Sequence, residues 1–378
     1  MCMGIGLSVL WAVTYEIDQA KGTGYHQRFR EFFKEVQKKD LRFALGIMDP
    51  KGDRSLSPGK QPDPDLHLRV VEKRADGIVV NGAKAHTTSA PCTHVFFAAP
   101  CRVLGEKDRD YAVSFAVPVD TKGLTFITRP AAGPLEPKEI ENPVSSQIGF
   151  VECLSVFDNV FVPWERVFMC GEWEATNQLI NYFSSYARLA KCACTSARLD
   201  ILAGAAALIA EYNGVEKAGH IRHKITEMMI TSEIGWGCAN GGVARSSAHP
   251  SGVSFPDVAM CSAGLYHIRT RFSEFLGTLQ EIAGGLVTTM PTEADYKNPQ
   301  TRPWIEKYLR GKAGVPTENR FRLLHLIQDL TASRFTGYLL GSVVCAAGTP
   351  ETNRIDVIRN YDLEGPRETV KAWAGIKD

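Results

Sequence analysis

Apolar positions at the start of the chain recur with the period of a helix. After the apolar opening MCMGIGLSVLWAV, the segment from Tyr15 to Val36 sets Tyr25, Phe29, Phe32 and Phe33 three and four residues apart. A helix pair of about 40 residues cannot bury its own apolar face, so it either packs on the region C-terminal to it or is the remnant of a larger domain. From about Leu41 the pattern changes to short β-rich runs. Asp76-Gly77 and Asn81-Gly82 flank Ile78, Val79 and Val80 like a hairpin strand, and further runs occur at 95–97, 124–128, 154–157 and 160–162, with Tyr111, Val113, Phe115 and Val117 in strict alternation. Short strands at this spacing, with Pro and Gly between them, predict a small β-barrel or sandwich. After Trp164 the period lengthens again, and from about Glu174 to Lys371 the chain reads as helix. Leu199, Leu202, Ala206 and Ile209 form one apolar stripe and Leu323, Ile327 and Leu330 another, with breaks at Asn213-Gly214, 246–256 and 298–303. Helices joined in this way predict a bundle.

Composition narrows the function classes. The chain has 378 residues, and at roughly 100–200 residues per domain that predicts two or three domains. Lys plus Arg number 43 against 42 Asp plus Glu, a formal charge of +1, which removes the electrostatic case for a nucleic-acid or membrane-surface protein. No uninterrupted apolar run approaches the roughly 20 residues of a spanning helix, and the start lacks the basic region of a signal peptide, so the expected location is cytoplasmic. The ten cysteines include no CxxC pair and are expected to be reduced thiols packed as small hydrophobes.

There is no P-loop, GxSxG, HExxH or strand-to-helix GxGxxG, so a dinucleotide would be held by something other than a Rossmann turn. Three polar, Gly-containing stretches could do so. In the run 49–54, Lys51 and Arg54 beside Gly52 and Asp53 read either as a solvated turn or as a loop offering cations and backbone N–H groups to a phosphate or an electron-rich ring. In the run 82–90, His86, Thr87, Thr88 and Ser89 read as a polar strand or as donors to a heteroaromatic edge. In the run 346–350, Ala347, Gly348 and Thr349 read as a helix stop or as a place where a cofactor comes close to backbone. Metal ligands do not converge by spacing. Cys192 and Cys194 fall on different helical faces, and His220 with His223, or Cys238 near Glu233, lack a matching partner set.

The stretches TYEIDQ (14–19), DPKGDR (49–54), VEKRADGIVVNGAKAHTT (71–88), FDNVFVPWERVF (157–168), AGGLVTTMPTEAD (283–295), YLRGKAG (308–314) and AAGTPETNR (346–354) together resemble one flavoprotein family. It contains 4-hydroxybutyryl-CoA dehydratase (vinylacetyl-CoA isomerase) and the large component of 4-hydroxyphenylacetate 3-monooxygenase. The resemblance implies an α+β, acyl-CoA-dehydrogenase-like fold: a truncated N-terminal helical part (1–40), a middle β-barrel domain (41–168) and a C-terminal four-helix bundle (169–378), assembled as a homotetramer. It implies FAD between the β-domain and the bundle, bound by Lys51, Gly52, Asp53, Arg54, Thr88, Ala347, Gly348 and Thr349. Arg54 and His86 become the catalytic candidates, Arg54 to orient the flavin ring and His86 to transfer a proton.

The departures from the family bear on the reaction. The dehydratase holds a four-iron cluster on three Cys and one His. Here Ile230 stands near the expected His and Gly237 beside Cys238, and the partner of Cys2 in the family's upstream pair would precede Met1. Cys2 and Cys238 are what is left of a metal set, and an iron–sulfur cluster is not expected. The carboxylate expected before the AAGTP turn falls around Gly341 and Ser342. On the hydroxylase side the substrate His falls near Leu45, and most of the family's N-terminal helical domain would precede this chain. Flavin chemistry with oxygen needs no metal. The expected activity is therefore FAD-dependent hydroxylation of a phenolic substrate, with a separate flavin reductase. A hydroxyacyl-CoA dehydratase or isomerase, and a non-catalytic truncated relative, are the alternatives.

Overall fold

The computed structural model describes residues 2–129, 133, 134, 136, 138–148 and 151–376. They fall into two compact units. One comprises Met1–Pro137, Ser145–Ala187 and Ala248–Phe255, the other Lys138–Val144, Arg188–Ser247 and Pro256–Asp378.

The first unit opens with α1 (Cys2–Lys21) and α2 (Tyr25–Lys38). α1 buries Ile5, Val9, Leu10, Val13 and Ile17. Asp18, near its end, starts the next helix: its carboxylate accepts from the backbone N–H of Tyr25 (2.9 Å) and His26 (3.0 Å) and from the Thr23 hydroxyl (2.5 Å). Those amides belong to the first turn, which has no partner within the helix. α2 buries Tyr25, Phe29, Phe32 and Val36 at a four-three-four spacing. Their partner is Phe168, whose ring centroid lies 5.2 Å from both Phe29 and Phe32. The opening pair thus packs on the β region, and each fully buried Phe contributes about 2–3 kcal/mol.

The strands are β1 (Phe43–Gly46), β2 (Arg69–Lys73), β3 (Gly77–Thr88), β4 (Val95–Ala98), β5 (Val113–Pro118), β6 (Leu124–Thr128), β7 (Glu152–Pro163) and β8 (Val167–Cys170). They form two four-stranded sheets, ordered β1-β4-β5-β8 and β2-β3-β7-β6. Only the β1/β4 pairing is parallel among these. Phe96 of the first sheet packs on Phe126 (5.9 Å) and Phe157 (5.3 Å) of the second, and Phe115 on Phe157 (5.8 Å). Among the described residues no strand pairs from one sheet to the other, so the closed β-barrel expected for this region is instead a two-sheet sandwich. Rings of this size between facing strands hold two sheets about 10 Å apart, beyond the reach of ladder hydrogen bonds, and the two meet at one corner, where Ala85 N on β3 donates to Met48 O just past β1 (2.8 Å).

α3 (Thr176–Tyr212) begins in the first unit and ends in the second. By length and composition alone the helical stretch Trp173–Tyr212 could cross a membrane, but it buries Leu199, Leu202, Ala206 and Ile209 in a protein core. The second unit continues with α4 (Gly219–Ala244), α5 (Val258–Ile282), α6 (Glu293–Lys297), α7 (Arg302–Tyr308), α8 (Thr317–Thr331), α9 (Arg334–Cys345), α10 (Pro350–Asn360) and α11 (Glu364–Ala374). Leu265, Ile268, Phe272 and Leu279 of α5 and Leu323, Leu324, Ile327 and Leu330 of α8 join the α3 stripe in one core. Both stripes read from the sequence are therefore core.

Candidate cofactor site

The first unit fixes the 49–54 loop at both ends. At its far end Gln61, buried, accepts from Asp53 N (3.1 Å) and donates to Asp53 O (2.8 Å). Gly52 has φ +55, and a Cβ there would stand 2.5 Å from Leu66 Cδ2 and 2.6 Å from Gln61 Oε1, so this turn needs glycine. At the near end Asp49 is buried and takes the Lys84 ammonium on Oδ1 at 2.6 Å and the Cys101 thiol on Oδ2 at 3.0 Å. Burial alone would raise the Asp49 carboxyl, but the Lys84 charge and the Lys84 and Cys101 hydrogen bonds outweigh it and hold the group below its ordinary range. Lys51 and Arg54 lie exposed between these anchors and make no hydrogen bond or ion pair among the described residues. The loop is anchored and its cations are uncommitted, which is what binding an anion requires.

Lys84 stands on β3, four residues before Thr88. The β3/β7 register shifts between Lys84 and Thr87, and His86 inside that bulge has φ +57. A bulge turns the side chains beyond it, and here it leaves His86 and Thr88 both exposed. Thr88 donates its hydroxyl proton to Glu152 Oε1 at 2.8 Å, which leaves the threonine oxygen as an acceptor. His86 makes no hydrogen bond among the described residues.

In the second unit two buried arginines grip the 346–349 loop. Arg269 donates to Gly348 O (2.7 Å) and Ala346 O (3.1 Å); Arg188 donates to Ala347 O and pairs with Asp356 Oδ2 at 2.8 Å. Burial, then the neighbouring Arg188 charge, pull Arg269 down to about 10. Ala347 (φ +58) and Gly348 (φ +83) are both left-handed, and Thr349 caps α10 by accepting from Thr352 N. α9 ends at Cys345, as the helix-stop reading has it, and the turn that follows is gripped through its carbonyls by the two arginines.

The metal candidates sit differently. Cys238 of α4 is half-buried against Gly264, where a Cβ would stand 2.4 Å from Cys238 Cβ and 2.9 Å from Cys192 Sγ. Burial raises the Cys238 thiol and pushes Cys192 and Cys261 up to about 12, so all three are protonated packing groups at neutral pH. Among the described residues no three His, Cys, Asp or Glu converge on a metal-sized site; the Cys2 side chain lies outside them. Sequence reasoning missed Lys84, Cys101, Gln61, Arg188 and Arg269, which position the loops it had found.

Comparison with known proteins places the chain in a family. The model of the 4-hydroxyphenylacetate 3-hydroxylase N-terminal region matches residues 2–169, and that of the C-terminal region matches residues 176–375. The chain belongs to the 4-hydroxyphenylacetate 3-hydroxylase family. It is 37% identical over 390 residues to 4-hydroxybutyryl-CoA dehydratase/vinylacetyl-CoA-Δ-isomerase of Clostridium aminobutyricum, covering 100% of this chain and 79% of that protein. It is 30% identical over 314 residues to the 4-hydroxyphenylacetate 3-monooxygenase oxygenase component of Thermus thermophilus, covering 82% of this chain and 64% of the relative. Among solved structures, an oxygen-tolerant archaeal 4-hydroxybutyryl-CoA dehydratase from N. maritimus superposes with TM-score 0.94 at 38% identity, covering 100% of this chain and 76% of that one. The oxygenase component of 4-hydroxyphenylacetate 3-monooxygenase complexed with FAD and 4-hydroxyphenylacetate gives 0.87 at 26%, covering 98% and 76%. Acyl-CoA dehydrogenase from Geobacillus kaustophilus, with TM-score 0.55 at 15% identity over 92% of this chain and 76% of that one, shares the fold alone.

Proposed function

We propose that this chain is a FAD-dependent oxygenase component that hydroxylates a phenolic substrate, works as a homotetramer, and receives reduced flavin from a separate reductase. The observation that carries this reading is the 49–54 loop, anchored at Asp49 and Gln61 with Lys51 and Arg54 uncommitted between them. A flavin dinucleotide offers a doubly charged pyrophosphate and an electron-rich ring edge, and both suit this donor set. In this reading Lys51 and Arg54 bind and orient, Gly52 lets backbone approach, and Asp53 keeps the turn closed through Ser55. Thr88 accepts from a ring N–H while Glu152 holds its proton, His86 moves a proton at the substrate oxygen, and Ala347, Gly348 and Thr349 are the FAD-binding backbone of the second unit, in this or a neighbouring subunit. Reduced FAD, when bound, supplies the two electrons that oxygen needs.

A dehydratase or isomerase acting on a hydroxyacyl-CoA is the second reading, favoured by the 37% identity that spans the whole chain. The donor set does not fit a four-iron cluster among the described residues: no three His, Cys, Asp or Glu converge there, and the α4 segment resembling the family's ligand helix has Ile230 near the expected His and Gly237 beside Cys238. Equilibrium titration with FAD, followed by turnover of 4-hydroxyphenylacetate with a flavin reductase, NADH and oxygen, tests the first reading. Hydroxylated product is expected. Stoichiometric iron and acid-labile sulfide after anaerobic purification, with isomerisation of vinylacetyl-CoA, would overturn it in favour of the second; no FAD binding by folded protein would favour a non-catalytic relative.

A further inference from the structure

Lys84 is 3% exposed, yet it carries an ammonium into the interior of the first unit. All three of its protons are used: on Asp49 Oδ1 (2.6 Å), Ala99 O (2.9 Å) and Ile47 O (3.1 Å). Asp49 is equally committed, with Lys84 on one oxygen and Cys101 on the other. A buried ion pair is a poor way to gain stability, because desolvation offsets most of the attraction, and apolar side chains of similar volume often serve as well. What such a pair supplies is direction. This one joins three segments at one point: the end of β1 with the chain leading into the 49–54 loop, the middle of β3, and the residue after β4. A backbone bond from Ala85 N to Met48 O (2.8 Å) lies beside it.

We propose that Lys84 is a positioning residue for the cofactor loop: through Asp49 it sets where Lys51 and Arg54 stand relative to Thr88 on its own strand. The proposal deepens the flavin reading above and rests on it for the identity of the ligand. The geometry is specific to this pair. Pro50 follows Asp49 directly and has a fixed φ, so a displacement of Asp49 passes into the loop rather than being absorbed by it. The far anchor at Gln61 holds only Asp53 and the turn after it. Loss of the Lys84 contact therefore frees Lys51 first, while the β3 bulge, built from backbone pairing with β7, keeps Thr88 in place.

The test uses the full chain with Lys84→Met and Asp49→Asn, and Lys84→Gln where Lys84→Met does not fold. Two quantities are read: FAD dissociation constant by fluorescence titration, and the rate of limited trypsin cleavage after Lys51 and Arg54 in the absence of FAD, each normalised to folded protein by the unfolding transition. Expected are a rise of about tenfold or more in the FAD constant and faster cleavage at Lys51 than at the exposed Arg74 or Lys107 of the same molecule. A variant with a lower melting temperature but unchanged cleavage at Lys51 and unchanged FAD affinity would reduce the pair to a structural role and overturn the proposal. If the unaltered chain binds no FAD, the flavin reading fails by itself, and the cleavage ratio still decides whether Lys84 positions the loop.

Discussion

The two units hold their polar loops by opposite means. In the first, a buried lysine acts on the chain leading into the loop, through a carboxylate, and leaves the exposed part of the loop to Gln61. In the second, Arg188 and Arg269 take the loop's own carbonyls at Ala346, Ala347 and Gly348. The difference follows from the donors. An ammonium is a compact point with three protons, suited to one node, whereas two planar guanidinium forks span a run of successive carbonyls. The first arrangement leaves cations free at the loop's surface; the second spends its cations beneath the loop and leaves backbone as the surface. Of these two loops, the one in the first unit is the one that offers uncommitted side-chain cations to a ligand.

Breaking the second arrangement should cost most. Arg188→Met strands the Asp356 carboxylate, 18% exposed, and the Ala347 carbonyl, and is expected to lower unfolding stability by about 3 kcal/mol in urea. A loss below about 1 kcal/mol would mean that Ser262, which donates to the same carboxylate oxygen at 3.0 Å, is the true partner. Gly348→Ala comes next. Its Cβ would stand 2.2 Å from Thr352 Oγ1 and 2.9 Å from Arg188 Nη2 at φ +83, against a pinned guanidinium, so about 2 kcal/mol is expected. Gly52→Ala, at φ +55, meets the flexible end of Leu66 and the Gln61 Oε1 that anchors Asp53, whose neutral hydrogen bond is easier to displace than a buried guanidinium, and should cost about 1 kcal/mol. Equal costs for the two glycines would erase the distinction between a gripped loop and an anchored one.

Much of this was legible in the chain. The aromatic spacing of α2 and the stripes of α3 and α8 predicted buried faces, and all three are core. The loops were legible as loops because Gly, Asp and Pro cluster there. Their anchors were less so, although a signal existed. Ile78, Val80, Gly82 and Lys84 share the inward face of β3, and a lysine on that face is a charge in the core. Arg269 likewise sits four residues after Leu265, on the buried stripe of α5. The partners of these cations were not legible, since Asp49 lies 35 residues from Lys84 and Asp356 168 from Arg188. Sandwich against barrel was beyond reach as well, because the same alternation serves both and only the pairing of edge strands separates them.

The smallest effect expected sharpens the first unit's side of the comparison. His67 is 1% exposed and neither ring nitrogen has a hydrogen-bond partner among the described residues. Its Nδ1 lies 3.9 Å from Asp49 Oδ2, and the charges around it are Asp49 and Asp108 against Arg102 and Lys84, with the Tyr111 ring edge-on at 6.5 Å. Burial lowers its pKa from 6.5, and the Asp49 carboxylate opposes this without reversing it. The fold therefore holds His67 neutral while the unfolded chain takes up a proton below 6.5, so the unfolded state binds more protons there and stability falls as pH drops through that value. His67→Phe keeps the ring and removes both unpaired nitrogens. At pH 7 and above it should unfold at the same urea concentration as the parent or a slightly higher one, and below 6.5 the parent should fall progressively behind it. Parallel curves for the two proteins across that window would mean that His67 takes its proton inside the fold, where Asp49 is the carboxylate within 4 Å of it, and the Asp49–Lys84 node would then be a three-group cluster instead of a closed pair.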